Sequence, residues 1–182
     1  MACADQYLSV EQCKEAADAL HVLSGILLFE YARHNEASAR NLITRNFIAR
    51  ADTMVRGIFE LWEIKDYGDC WVLHRCLLDR LFHLHALNDR NQFDSFEDWS
   101  FKMQFDAANR VRSDPDLTEQ QHALVNNLTV EQKTRYRQLS ERTPEWRRPK
   151  AEDVAKSMDL MFLYRYGYDF ASQHVHPMAN DG

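Results

Sequence analysis

Apolar side chains recur at intervals of three and four residues along almost the whole chain, and this spacing limits the possible folds more than any other feature. It places the apolar residues on one face of an α-helix, whereas a half-buried β-strand would alternate apolar and polar residues. Only five Gly and four Pro occur among the 182 residues, so few positions interrupt the pattern. The sequence therefore predicts an all-α protein that forms one helical domain over residues 1–182.

Four segments carry the pattern far enough to form long helices. The first begins with a capping box in which Ser9 is followed three residues later by Gln12. In chain order, the predicted long helices run over about Ser9–His34, Ser38–Lys65, Asp69–Leu87 and Ala151–Pro177. We expect them to pack as a mostly antiparallel bundle, because each has an apolar face to bury.

The segment between residues 88 and 145 is more polar and more often interrupted than the rest of the chain. Capping residues predict a helix of about residues 96–111 that begins after Ser95, and two short helices that begin at Thr118 and Thr129. We expect these helices to pack across one end of the four-helix bundle.

Composition and motifs exclude several classes of function. The net charge of −6 disfavours broad, nonspecific attraction to nucleic-acid phosphates. The four cysteines show no C-x-x-C spacing, and no Walker loop or dinucleotide fingerprint occurs, so we expect neither a metal nor a cofactor. Since no stretch reaches 18 apolar residues and the N-terminus lacks the layout of a secretion signal, we expect a cytoplasmic protein that does not contact a membrane.

The third predicted helix is apolar on every side, which is typical of a buried helix. Arg75 and Asp79 lie four residues apart on it, and an unpaired charge in the interior would be costly. We therefore predict that Arg75 is mostly buried and is paired with Asp79, or with Glu60 or Glu63 of the second helix.

The closing segment, Ala151–Pro177, groups the most chemically capable side chains of the sequence. Its apolar stripe consists of Val154, Met158, Met161, Tyr164, Tyr168, Ala171 and Val175. A polar strip beside it consists of Arg165, Asp169, Ser172 and His176. Asp169 and His176 would lie about 10 Å apart along the axis, which argues against a Ser–His–Asp relay within this helix. The strip is either a surface ion pair of Arg165 with Asp169 beside a His at the helix end, or part of a site completed by another helix.

Two stretches resemble a poorly characterised bacterial family of helical proteins, a domain of unknown function. They read LHRCLLDRLFHLHAL and PEWRRPKAEDVAKSMDLMFLYRYGYDFASQHVHP, and the resemblance covers about residues 40–177. The pattern of that family falls on Arg75, Asp79, Tyr164, Tyr168, Ser172, His176 and Pro177. The chain departs from it in carrying Asp79 where Glu is more usual, and in ending five residues after Pro177. The resemblance implies a shared polar cluster where the Arg75 helix meets the closing helix.

The closing pattern is more distantly similar to the HEPN-like superfamily of helical nucleases and nucleotide-binding proteins in defence and toxin systems. Metal-independent RNases of that superfamily use an R-x4–6-H motif in a dimer cleft. Arg80 and His85 match R-x4-H literally, but a pattern this loose is expected about twice by chance in a chain of this composition.

Two functions fit these observations. The first is a non-catalytic binding or interaction module, in which the polar cluster fixes helix packing or receives a small ligand. The second is a metal-independent ribonuclease with RNA as its substrate, in which His176 acts as acid or base and Arg75 or Arg165 holds the scissile phosphate.

The first helix also predicts self-association. Its apolar run Gly25–Phe29 is wider than one core-facing stripe requires, so a second face is left for another subunit. We predict a homodimer.

Overall fold

A computed structural model describes residues 8–33, 38–125, 128–142 and 145–175. Over these ranges the regular structure is helical throughout and contains no strand, which confirms the all-α prediction. The α-helices are α1 (Val10–Arg33), α2 (Ala39–Glu63), α3 (Tyr67–Asp89), α4 (Phe93–Arg112), α5 (Glu119–Val125), α6 (Val130–Ser140), α7 (Ala151–Ser157), α8 (Met161–Leu163) and α9 (Phe170–Ser172), with a π-helical segment at Tyr164–Asp169 between the last two. None of the helices in these ranges is long and apolar enough to cross a membrane.

The chain divides into two compact units. The first takes Met1–Ala86 together with Pro149–Gly182, and the second takes Leu87–Arg148. That the two units act as one domain stays a prediction.

In the first unit, α1 and α2 form an antiparallel pair. Lys14 near the start of α1 forms an ion pair with Glu63 at the end of α2, and His21 lies 2.8 Å from a carboxylate oxygen of Asp52. Both helices begin as the sequence predicted, with hydroxyl caps at Ser9 and Ser38. No residue of α1 is fully buried, so this helix contributes little to the core.

The core of the first unit forms where α3 packs against α7. Leu78, Phe82 and Ala86 of α3 contact Val154 and Ala155 of α7, and all five are buried. Between Cys70 and Leu87, Leu81 is the one residue with an exposed side chain, as expected for a helix that is apolar on every side.

The prediction of a single closing helix over Ala151–Pro177 is wrong. The helix α7 ends at Ser157, because Asp159 adopts a left-handed conformation with a φ of 56°. The amide of Leu160 then bonds the carbonyl of Ala155 at 2.8 Å, and the amide of Asp159 bonds that of Lys156 at 3.2 Å, which is the Schellman pattern of a helix end. Asp tolerates this conformation better than most residues. The apolar residues keep their helical spacing on both sides of Asp159, so the sequence pattern does not reveal that the helix ends there. The helix that follows spans residues 161–172 and is π-helical over its centre.

In the second unit, α4 is longer than predicted and begins earlier. The expected cap at Ser95 is wrong, since Ser95 lies inside α4 and its hydroxyl donates to the carbonyl of Gln92 at 3.2 Å. The capping pairs at Thr118 and Thr129 form as predicted. Buried Trp146 packs against the rings of Phe96 and Trp99.

Candidate functional site

Four of the predicted site residues meet where α3 faces the π-helical segment and α9. The Nε of Arg75 donates to the hydroxyl of Ser172 at 2.9 Å, and its Nη2 donates to the hydroxyl of Tyr168 at 3.2 Å. Its Nη1 lies 3.8 Å from the Oδ2 of Asp79. Each nitrogen of this guanidinium is therefore directed at a group of its own chain. We call Arg75, Asp79, Tyr168 and Ser172 the Arg75 cluster.

The two hydroxyl protons of the Arg75 cluster are also used. Tyr168 donates to the Oδ1 of Asp79 at 3.1 Å, and Ser172 donates to the carbonyl of Tyr168, four residues earlier, at 2.8 Å. Both hydroxyl oxygens are thus free to accept the hydrogen bonds from Arg75. The cluster is therefore a network in which two nitrogens of Arg75 and both hydroxyl groups donate hydrogen bonds.

Arg75 is largely removed from water. The side chains of Arg75 and Asp79 are each 19% exposed, and the guanidinium carbon lies 4.7 Å from the centre of the Tyr168 ring. The predicted pairing of Arg75 is confirmed for Asp79. It is not formed with Glu63, which pairs with Lys14 instead.

The π-helical segment brings Tyr168 close to α3 because Gly167 has no side chain. A Cβ at Gly167 would lie 2.8 Å from the Cε1 of His74 and 2.9 Å from the Cδ1 of Leu78, which is closer than side chains pack. The absence of this atom lets the backbone of the segment approach α3. π-Helical turns inside α-helices occur often at functional sites.

An aromatic group that the sequence analysis did not single out flanks the Arg75 cluster. Trp71 contacts His74 and Phe170 edge-to-face at centroid distances of 5.7 and 5.2 Å, and lies nearly parallel to His174 at 6.3 Å. Burial lowers the pKa of His74, and its Nδ1 is buried without a hydrogen-bond partner in the described part of the chain. The sequence spacing could have indicated this group, because Trp71 lies one helical turn before Arg75, and His74 lies one turn before Leu78.

A protein-family model matches residues 41–181 of the chain, and its description is "Family of unknown function (DUF5677)". The chain belongs to this family. The DUF5677 region contains α3, the π-helical segment and the whole Arg75 cluster, whereas α1 precedes it. None of the curated proteins and none of the solved structures compared with the chain is significantly similar to it.

The other predicted site residues of the DUF5677 region form no hydrogen bond with the Arg75 cluster in the described part of the chain. Tyr164 stacks on the ring of Tyr168 at 5.7 Å, and burial, with a smaller contribution from nearby Asp169, raises the pKa of its phenol. Arg165 and Asp169 are exposed, and the structure does not form the ion pair expected between them. His176 and Pro177 lie outside the described residues.

The two residues of the literal R-x4-H match do not contact each other in the described part of the chain. Arg80 donates to the carbonyl of Cys76 at 3.1 Å, and no contact joins it to His85. Within the described ranges, no three His, Cys, Asp or Glu side chains are grouped so that they could hold a metal ion.

Proposed function

We propose that this DUF5677 protein is a non-catalytic helical interaction module, in which the Arg75 cluster clamps the π-helical segment to α3. The observation that carries the proposal is the engagement of all three nitrogens of Arg75 by Ser172, Tyr168 and Asp79. A guanidinium that holds a substrate phosphate presents its donors to the ligand, often in pairs. Here the Nε and Nη2 of Arg75 already donate to Ser172 and Tyr168, and Asp79 already balances the charge.

The hydroxyl of Ser172 is not arranged for nucleophilic chemistry either. A nucleophilic hydroxyl gives its proton to a neighbouring base, which is itself held by a third group. Ser172 instead donates to the backbone carbonyl of Tyr168, which is not a base, and accepts a hydrogen bond from the Nε of Arg75. The hydrogen bond from Arg75 to Ser172 joins α3 to α9, which suits a structural role.

The exposed surface supplies what an interaction module needs. Large apolar side chains are exposed on α1, among them Val22 at 62%, Ile26 at 56% and Phe29 at 63%. Contiguous exposed apolar residues on a soluble protein mark sites where another surface binds.

A comparison of two arginine variants tests the clamp. Arg75→Ala leaves Asp79 without its cation, so we expect the free energy of unfolding to fall by about 3 kcal/mol in a urea titration. The control, Arg165→Ala, removes an exposed arginine of the same segment and should change it by no more than about 0.5 kcal/mol. The double variant Arg75→Met/Asp79→Leu removes both charges and should recover most of the loss. A loss below about 1 kcal/mol in Arg75→Ala would contradict the clamp.

An RNA assay tests the non-catalytic assignment separately. The purified protein, incubated with a single-stranded RNA oligonucleotide in EDTA, should leave the RNA intact. If the RNA is cleaved and His176→Ala abolishes the cleavage without altering the circular dichroism spectrum, the protein is a metal-independent ribonuclease and our proposal is wrong.

A further inference from the structure

The face of α1 that points away from α2 carries a regular row of exposed residues. Lys14, Ala17 and His21 point towards α2 or its groove, and at 100° per residue Ile26 lies about opposite Ala17 on the helix. The row consists of Glu15, Ala19, Val22, Ile26, Phe29 and Arg33, and we call it the α1 seam. All six are exposed.

The spacing of the α1 seam is that of a helix–helix interface. Successive members are separated alternately by four and three residues, which is the repeat by which one helix packs against another along its length. The centre of the seam is apolar, and each end carries one charge of opposite sign. Leu23, which is 50% exposed, widens the apolar surface beside it.

The charges of the α1 seam are complementary to a second, antiparallel copy of itself. If the two-fold axis passes between Val22 and Ile26, Val22 meets the partner's Ile26, and Ala19 meets the partner's Phe29. Glu15 then meets the partner's Arg33 at both ends. A parallel pair would instead place Glu15 against the partner's Glu15 and Arg33 against the partner's Arg33, which repel each other. In its own helix Arg33 contacts Glu30 at 3.3 Å, and at 65% exposure it remains accessible to a partner.

Gly25 provides a second, independent observation at the centre of the same helix. A Cβ there would meet nothing within 4 Å, so packing inside the chain does not require glycine. Glycine in a helix interior is nevertheless unfavourable by about 1 kcal/mol relative to alanine. Gly25 directly precedes Ile26 and lies about 100° from it around the helix, so it borders the α1 seam, where a missing side chain leaves room for a partner helix.

We infer that two copies of this protein associate antiparallel through the α1 seam. The inference does not depend on the role of the Arg75 cluster, because α1 lies before the DUF5677 region that contains the cluster. Each copy contributes the same residues to this contact, as in most two-fold interfaces.

Sedimentation equilibrium of the full chain tests the inference, with variants that reverse the charge of Glu15, of Arg33 or of both. The unaltered protein should be a dimer at micromolar concentration, and Ile26→Glu should be a monomer with an unaltered circular dichroism spectrum. Glu15→Arg alone and Arg33→Glu alone should each raise the dissociation constant about 10-fold, because they place like charges at both ends. The double variant Glu15→Arg/Arg33→Glu should return it to within about 2-fold of the original value.

Gly25→Gln gives a further check that separates association from folding. Gln is a better helix former than Gly, and its Cβ would meet no atom of the chain within 4 Å, so the variant should fold at least as well as the original. It should nevertheless weaken the dimer about 10-fold by keeping the two helices apart. A monomer at 100 µM, a dimer that survives Ile26→Glu, or single charge variants that leave the dissociation constant unchanged would overturn the inference.

Discussion

Arg75 shows how one largely covered charge organises its surroundings. Removing a guanidinium from water is costly, and the cost is offset here by an ion pair, two hydrogen bonds and the face of an aromatic ring. Asp79 is one helical turn away on the same helix, whereas Tyr168 and Ser172 come from the opposite end of the chain. Arg75 therefore links two distant segments, and its replacement is expected to loosen both.

His74, next to Arg75, makes stability depend on pH. Burial lowers the pKa of its imidazole below the ordinary value of 6.5, so the folded protein keeps this side chain neutral. Above pH 6.5 His74 is neutral in both the folded and unfolded states and contributes no pH dependence. As the pH falls below 6.5, the unfolded chain binds a proton that the folded chain does not, and the free energy of unfolding decreases.

The variant His74→Leu should remove that part of the pH dependence. We expect urea titrations between pH 5 and pH 8 to show a shallower decline below pH 6.5 than the original protein shows. At pH 8 the variant should be more stable by about 1 kcal/mol, because the unpaired Nδ1 is no longer buried. An unchanged slope below pH 6.5 would mean that another group causes it.

At the scale of the helices, three ends depend on residues in the left-handed conformation. They are Lys65, Asn91 and Asp159, with φ values of 64°, 49° and 56°. Each lies at the Schellman position after its helix, and none is glycine, the residue that adopts this conformation without strain. The helices α2, α3 and α7 therefore end without the Gly that usually indicates a helix end in a sequence.

Lys65→Gly is therefore expected to stabilise the protein. The left-handed conformation is unfavourable for a residue with a Cβ, so the variant should gain about 1 kcal/mol in the free energy of unfolding. Lys65→Ala keeps the Cβ and serves as the matched control, with a change of no more than about 0.5 kcal/mol. Equal gains in the two variants, measured by urea titration, would show that the charge of Lys65 and not its backbone conformation is responsible.

At the scale of the whole molecule, the question is whether the two compact units unfold together. The helix α3 contributes residues to both units, since Tyr67–Asp89 spans the division between Ala86 and Leu87. Because a helix forms and melts cooperatively, we expect the two units to unfold in one transition.

Tryptophan fluorescence can follow the units separately. With Trp62 and Trp71 of the first unit changed to Phe, the remaining fluorescence comes from Trp99 and Trp146 of the second unit. Its midpoint in urea should coincide with that of the circular dichroism signal at 222 nm, which reports the helices of both units. Two separate midpoints would show that the chain forms two domains and not one.

The sequence by itself determined the helical class and most helix starts, and it named Asp79 as one of three possible partners of Arg75. These properties are local, because helical periodicity, capping boxes and a four-residue spacing act within one or two turns. The family model over residues 41–181 agrees with the resemblance to a domain of unknown function.

Only the tertiary structure decided which side chains complete the cluster and where the closing helix breaks. The contacts of Arg75 with Tyr168 and Ser172 join residues more than 90 positions apart, so no local spacing encodes them. The backbone of Gly167 approaches side chains of α3, and Asp159 adopts a left-handed conformation, and the spacing of apolar residues predicts neither. Helix formation is set by neighbours along the chain, whereas the site is set by neighbours in space.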